Sequence, residues 1–192
     1  DYNGQLAINP FDLNLKINLY NYKISNLFIP NSIINEFIKS GLLFNENISI
    51  NTLINIESIK KEKIFNEAKL ELRVLNGKIS FDKSVFINNN IGLMEVSNSD
   101  LFLKNDKLIL TANLSIDIKN TDRLYSFLST NKRLRKDIKN IKLNIVYDFF
   151  GNEIAFKNIK IDDNKVSDQF YNIAEGFSDN NSNNLTKSRR LL

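Results

Sequence analysis

The stretch LILTANLSIDI, residues 108–118, has an apolar residue at every second position and mostly polar residues between them. Successive side chains of a β-strand point to opposite faces of its sheet, so this pattern predicts one long strand with one apolar face. Burial of each large aliphatic side chain is worth roughly 1.5–3 kcal/mol, so a wet face would forfeit on the order of 10 kcal/mol. We therefore expect protein or a ligand to cover this face.

The same alternation recurs along the chain and predicts a protein made mainly of strands. Four further stretches alternate apolar with polar side chains, namely residues 11–20, 48–56, 68–74 and 141–149. The dipeptide Asn76-Gly77 is a strong signal for a two-residue hairpin, with residues 78–82 as the returning strand. Residues 85–90 are less regular and predict a loop.

Two short helices are expected between the strands, because the apolar spacing changes to three and four residues at two places. In the first helix, Asn31 or Ser32 is the predicted N-cap and Gly41 the end. In the second helix, Thr121 or Asp122 is the predicted N-cap. Each helix follows a long alternating strand, which suggests an internal repeat.

Composition divides the chain near residue 163. Residues 1–163 are predicted to form one β segment with possible repeat units 1–75 and 76–163. Residues 164–192 are predicted to be a partly disordered linker or the start of a next element, since 178–184 (SDNNSNN) contain only small polar and acidic residues. Because the chain begins at Asp1 rather than at a methionine, we expect it to be a segment of a longer protein.

The composition argues against an enzyme. The 192 residues include no histidine and no cysteine, which removes the commonest general base, the thiol nucleophile and the usual ligands of a metal site. The carboxylates form no recognisable motif, so we expect no catalytic residues, no metal and no cofactor. The net charge of +4 is modest, and we expect no nucleic-acid partner. The basic run at residues 132–139 fits either anionic lipid head groups or a solvated loop.

Two architectures satisfy one-sided strands of this kind. The fold class that we predict is mainly β with two short helices, and its first possible architecture is a long, curved, largely antiparallel sheet whose inner face forms an open apolar groove. The alternative is a β-sandwich, in which a second sheet fills the space over each apolar face. Alternation alone does not separate the two.

Three short segments share one sequence pattern, a glycine followed by alternating apolar residues. They are GQLAI at 4–8, GKISF at 77–81 and, more loosely, GNEIAF at 151–156. Together with residues 96–128 (VSNSDLFLKNDKLILTANLSIDIKNTDRLYSFL) and 138–162 (IKNIKLNIVYDFFGNEIAFKNIKID), they resemble the AsmA-like proteins of Gram-negative envelopes, in particular their C-terminal region. The likeness covers residues 76–163 well and the earlier part more loosely.

This resemblance implies a bridge-like lipid transfer protein of the periplasm, in which phospholipid acyl chains pass along a β-groove between the inner and outer membranes. No catalytic residues carry over from the family; what carries over is an apolar face. The residues expected to contact lipid are Leu13, Leu15, Ile17, Leu19, Leu70, Leu72, Leu108, Leu110, Leu114, Ile116, Ile118, Leu143, Ile145 and Tyr147.

The partners implied are phospholipid acyl chains, an inner-membrane anchor in a part of the parent chain outside this sequence, and outer-membrane proteins. The mechanism would be passive shielding, in which apolar side chains replace water around the lipid. The alternative function is a structural scaffold: a β-domain that assists outer-membrane protein assembly.

Overall fold

The computed structural model describes residues 1–28, 33–58 and 65–167. This part of the chain contains eleven strands and two α-helices of seven residues each. The strands are β1 Tyr2–Ile8, β2 Phe11–Tyr22, β3 Ile48–Ser58, β4 Glu67–Leu75, β5 Lys78–Ser80, β6 Val85–Asn88, β7 Gly92–Lys104, β8 Lys107–Ile118, β9 Asn140–Asp148, β10 Glu153–Ile161 and β11 Asn164–Lys165. The helices are α1 Ile33–Lys39 and α2 Thr121–Phe127, and short 3-10 turns lie at Ile24–Phe28, Leu42–Phe44 and Lys132–Leu134.

All eleven strands belong to one sheet. Its order is β1-β2-β3-β4-β5-β7-β8-β9-β10-β11, with β6 paired to β4 and β7 beyond the end of β5. Every pairing is antiparallel except that of β2 with β3. The predicted fold class, mainly β with two short helices and a long, largely antiparallel sheet, is confirmed.

The described residues form a single layer of strands. Each strand makes its substantial contacts with its neighbours in the sheet order, and the described part of the chain contains no second sheet that faces the first. The β-sandwich alternative is therefore not the arrangement of these residues. The stretch 108–118 corresponds to β8, which lies between β7 and β9.

Two tight turns explain why long strands follow one another so closely. Asn76 and Gly77 both have positive φ, 51° and 71°, as a two-residue hairpin turn of the kind favoured by the strand twist requires. The predicted Asn-Gly hairpin between β4 and β5 is confirmed. Asn105 and Asp106, with φ of 50° and 58°, turn β7 into β8 in the same way.

The predicted loop at 85–90 is partly wrong, because residues Val85–Asn88 form strand β6. The strand between β4 and β7 is interrupted at residues 81–84, and polar side chains bridge the gap. The backbone N–H of Glu71 donates to Ser84 Oγ at 3.0 Å. The backbone N–H of Ser99 donates to Asp82 Oδ1 at 2.6 Å. These hydrogen bonds join residues 13 and 17 positions apart and replace ladder bonds, so sequence alternation does not reveal them.

The N-cap of α2 also differs from the prediction. Asn120, rather than Thr121 or Asp122, caps the helix: its Oδ1 accepts a hydrogen bond from the backbone N–H of Arg123 at 3.0 Å. Thr121 Oγ1 instead donates to Asp137 Oδ1 at 3.0 Å. The predicted caps of α1, Asn31 and Ser32, lie outside the described residues.

Both predicted repeat units lie in the one sheet, with the boundary at the β4–β5 hairpin. The sheet continues slightly beyond residue 163, because β11 pairs Lys165 with Lys160 and Asn164 with Ile161. The rest of the predicted linker, residues 168–192, lies outside the described residues.

Candidate functional site

One face of the sheet carries apolar side chains on strand after strand. In the lower part of the sheet, where β3 and β8 begin, the register aligns one apolar residue from each of nine strands into a continuous row. That row consists of Leu6, Leu13, Ile50, Val74, Ile79, Leu101, Leu110, Tyr147 and Ile154. Because side chains alternate in direction along each strand, residues two positions away on each strand share this face.

A second row crosses the upper part of the sheet, where β3 and β8 end. It consists of Leu19, Ile56, Ala68, Phe86, Met94, Ile116, Ile141 and Ile161. Between the two rows lie further pairs on the same face, such as Leu114 with Val96 and with Leu143. We call this surface the apolar face.

The connection between β2 and β3, residues 23–47, covers parts of the apolar face. At the lower end its side chains Ile38 and Leu43 join a buried cluster with Ile50, Val74, Ile79, Leu101, Leu108 and Phe149. At the upper end Ile24 and Leu27 join a second cluster with Ile56, Ala68 and Phe86. The protein thus provides its own cover at both ends of the central strands.

Another part of the apolar face, on β8, β9 and β10, has no such cover from the residues that the structure describes. The residues Leu114, Ile116, Leu143, Ile145 and Phe156 are half-buried, and none of them belongs to either buried cluster of the described residues. On β2, Leu15 and Ile17 are in the same situation. These side chains keep part of their apolar surface in contact with solvent.

All fourteen residues predicted to contact lipid lie on the apolar face, but they differ in exposure. Leu108 is only 1% exposed and belongs to the lower cluster, so it is not accessible to a ligand. Leu13, Leu72, Leu110 and Tyr147 pack against the lower cluster. Leu19 and Leu70 pack against the upper one. The remaining seven are half-buried outside both clusters: Leu15, Ile17, Leu114, Ile116, Ile118, Leu143 and Ile145.

The sequence-based set missed several members of this face. Ile154 and Phe156 of β10 align with Tyr147 and Ile145. Their alternation was visible in the sequence and could have added them. Val96 was harder to place, because the register of β7 shifts between Ser97 and Asp100 and breaks the alternation there.

The opposite face of the sheet is largely polar and includes asparagine pairs on neighbouring strands. Asn55 Nδ2 donates to Asn18 Oδ1 at 2.8 Å across β2 and β3. Asn144 Nδ2 donates in the same way to Asn113 Oδ1 across β8 and β9. The two faces therefore differ in chemistry, with apolar side chains on one and hydrogen-bonding groups on the other.

At the lower end, Tyr147 marks the boundary of the apolar face. Its ring packs edge-on against Phe149 with centroids 4.7 Å apart, and its Oη donates to Asn152 Oδ1 at 2.7 Å. Burial, with a contribution from the carboxylate of Asp148, raises the pKa of Tyr147 above its usual value of 10.0. The phenol is therefore neutral at physiological pH and serves as an apolar ring with one polar end.

The described residues contain neither a candidate metal site nor a candidate membrane-spanning helix. Within them, no group of three or more His, Cys, Asp or Glu side chains is placed to hold a metal ion. None of their helices has both the length and the hydropathy to cross a bilayer. What the arrangement does offer is contact with an apolar ligand through methyl, methylene and ring groups.

Comparison of the chain with protein-family models, with curated proteins and with solved structures gives no match.

Proposed function

We propose that this chain is a segment of an AsmA-like envelope protein and that the exposed part of its apolar face binds the acyl chains of phospholipids. The observation that carries the proposal is the placement of Leu114, Ile116, Leu143 and Ile145 on β8 and β9. These aliphatic side chains are half-buried, lie next to one another and are left outside both buried clusters.

The physical reason is that apolar surface exposed to water is unfavourable in free energy. Covering each methylene of a lipid chain contributes about 0.8 kcal/mol, and the side chains beneath it lose their own contact with water at the same time. A site of this kind needs no hydrogen bonds along the chain and no catalytic group. It would let a lipid slide along the uncovered part of the apolar face, since the aliphatic side chains there offer similar contacts.

In this proposal the sheet is curved, with the apolar face inside and the asparagine-rich face in water. The chain would act in the periplasm, anchored to the inner membrane through a part of the parent protein outside this sequence. Phospholipid would move between the inner and outer membranes along the row of strands, and outer-membrane proteins are further candidate partners.

A second candidate function, a structural scaffold, is favoured by the edge strand β1. Its side chains Tyr2, Leu6 and Ile8 are 84%, 60% and 81% exposed, and among the described strands β1 pairs on one side only, with β2. The other side of β1 is thus an edge that can accept a further strand. A scaffold would use this edge to join another β-protein.

Native mass spectrometry of the purified chain after incubation with phospholipid vesicles, followed by identification of the released lipid, tests the lipid proposal. We expect phospholipid bound at reproducible stoichiometry. The variant Leu114→Asp should abolish loading, because it places an unpaired charge on the apolar face.

The matched control is Asn113→Asp, on the opposite face of the same strand. It adds the same charge and retains the oxygen that accepts from Asn144 Nδ2, so loading should be unchanged. Circular dichroism checks that each variant folds, and Leu114→Gln replaces Leu114→Asp if the latter does not. If the folded Leu114 variant carries as much lipid as the wild type, or if the wild type binds none, the acyl-chain proposal is wrong and the scaffold remains.

A further inference from the structure

The connection between β8 and β9, residues 119–139, concentrates the positive charge of the protein. The whole chain has a net charge of +4. This connection contains two acidic residues, Asp122 and Asp137, and a much larger number of basic ones. The basic residues are Lys119, Arg123, Lys132, Arg133, Arg135, Lys136 and Lys139. The remainder of the chain has one more acidic than basic residue, so the basic excess belongs to this connection alone.

Internal contacts occupy the two carboxylates and one of the arginines. Arg135 lies 3.7 Å from Asp122 Oδ1 and donates from Nε and Nη2 to the carbonyl oxygen of Thr130, each at 3.1 Å. Asp137 accepts a hydrogen bond from Thr121 Oγ1 at 3.0 Å. Arg135 is thereby held inside the connection, where its guanidinium lies 5.9 Å from the ring centre of Tyr125.

The other six basic residues are free to meet a partner. Each is exposed, and none forms an ion pair with a described carboxylate. They are Lys119, Arg123, Lys132, Arg133, Lys136 and Lys139. We call these six residues the basic patch.

Aromatic and aliphatic side chains of the same connection differ in exposure. Tyr125 of α2 is 8% exposed, and its Oη accepts a hydrogen bond from the backbone N–H of Lys136 at 3.2 Å. Phe127, at the end of α2, and Leu128, its C-cap, are instead 39% and 42% exposed. The helix therefore buries one ring and exposes an apolar pair in a basic connection.

The position of this connection matters as much as its chemistry. It begins after Ile118 and ends before Asn140, at the upper end of β8 and β9. The adjacent row of the apolar face contains Ile116 and Ile141, and Ile118 itself is half-buried. A surface that rests on this connection would lie next to the uncovered part of the apolar face.

We propose that residues 119–139 dock onto the surface of a phospholipid bilayer that contains anionic lipids. The basic patch binds the phosphate groups, and Phe127 and Leu128 enter the boundary between head groups and acyl chains. This inference goes beyond acyl-chain binding, since it concerns contact with the membrane surface. A lipid surface accounts for both exposed side chains, whereas a single-stranded nucleic acid would use the Phe127 ring for base stacking and would leave Leu128 without a role.

Flotation with vesicles tests the proposal. The 192-residue chain is mixed with vesicles of pure phosphatidylcholine or of phosphatidylcholine with one third phosphatidylglycerol, at low and at high salt. We expect binding to the anionic vesicles only, weakened by salt. The variant Lys132→Gln/Arg133→Gln/Lys136→Gln should lose about fivefold in affinity per residue, on the order of 100-fold in total. The variant Phe127→Ser/Leu128→Ser should also bind more weakly, and its remaining binding should be more sensitive to salt.

The matched control is Lys16→Gln/Lys78→Gln/Lys104→Gln, which removes three exposed lysines outside this connection and should bind like the wild type. Equal binding to neutral and anionic vesicles, or equal losses in the two triple variants, would overturn the proposal. So would tighter binding to a single-stranded oligonucleotide than to the anionic vesicles, lost in Lys132→Gln/Arg133→Gln/Lys136→Gln, since the patch would then serve nucleic acid. Native mass spectrometry separates this result from the acyl-chain proposal, because the basic-patch variant should still carry lipid loaded from detergent solution.

Discussion

Two connections of similar length, residues 23–47 and 119–139, have different roles in this fold. Each follows a long strand and contains one seven-residue helix, α1 or α2. The first joins β2 to β3, which are parallel. The second joins β8 to β9, which are antiparallel. The apparent repeat in the sequence therefore corresponds to two different topologies.

The difference in strand direction determines what each connection covers. A parallel pair requires the chain to return along the full length of the strand before it re-enters the sheet. The first connection makes this return over the apolar face, and it buries Ile24, Leu27, Ile38 and Leu43 there. The second starts and ends at the upper end of the sheet. Among its described side chains, Tyr125 alone is buried.

Truncation of one apolar side chain in each connection gives the largest expected contrast. Leu43 is 1% exposed in the lower cluster, so Leu43→Ala should reduce the free energy of unfolding by about 3 kcal/mol. Phe127 is 39% exposed, so Phe127→Ala should change it by no more than about 0.5 kcal/mol. Urea unfolding followed by circular dichroism measures both. Equal losses would show that the second connection also packs on a core.

An effect of intermediate size is expected at Asp148, beside the lower cluster. Burial raises the pKa of this carboxyl, but hydrogen bonds from Gly151, Lys107 and Phe150 outweigh burial and hold the pKa below its usual value of 3.8. Its Oδ2 lies 3.3 Å from Lys107 Nζ. Asp148→Ala should therefore cost about 1–3 kcal/mol at neutral pH, because the hydrogen bonds to a charged, buried acceptor are lost.

The sign of the pH dependence follows from the lowered pKa. The stabilisation by Asp148 is fully present above the unfolded-state value near 3.8 and is lost as the pH falls through the folded-state pKa. Urea unfolding at a series of pH values should show the wild type and Asp148→Ala converging in acid. Asp163→Asn is the control at the other end of β9, where Asp163 pairs with Lys142 at the surface, and we expect little effect there. A constant difference at all pH values would contradict this account.

The smallest effects on stability are expected on the polar face, where substitutions near the two connections should cost the same. Asn18 and Asn113 each accept a side-chain hydrogen bond from an asparagine on the next strand, one near each connection. Asn18→Ala and Asn113→Ala should each cost about 0.5 kcal/mol, the usual range for a cross-strand pair. Thermal unfolding of the two variants tests this. A clearly larger loss of stability for one variant would mean that the two regions of the sheet differ on the polar face as well as on the apolar face.

Much of the fold was predictable from the sequence because the relevant signals are local. Alternation located the strands that became β2, β3, β4, β8 and β9, and Asn76-Gly77 located a hairpin. The interruption between β5 and β6 was not predicted, because it depends on Ser84 and Ser99 bonding to residues distant in the sequence. The N-cap was missed for a similar reason: Thr121 donates its hydroxyl hydrogen bond to Asp137, sixteen residues away, and Asn120 caps the helix instead.

The candidate site divides in the same way. Alternation predicted which residues of each strand share a face, because side-chain direction along a strand follows from the backbone. The pairing register then brings all fourteen predicted residues onto one face of the sheet. The accessibility of each residue could not be predicted: Leu108 is buried and Leu114 is half-exposed, although they occupy equivalent positions in one alternating strand. Only the tertiary structure decided which of the two connections crosses the apolar face, because the direction of strand pairing is a contact between residues far apart in the chain.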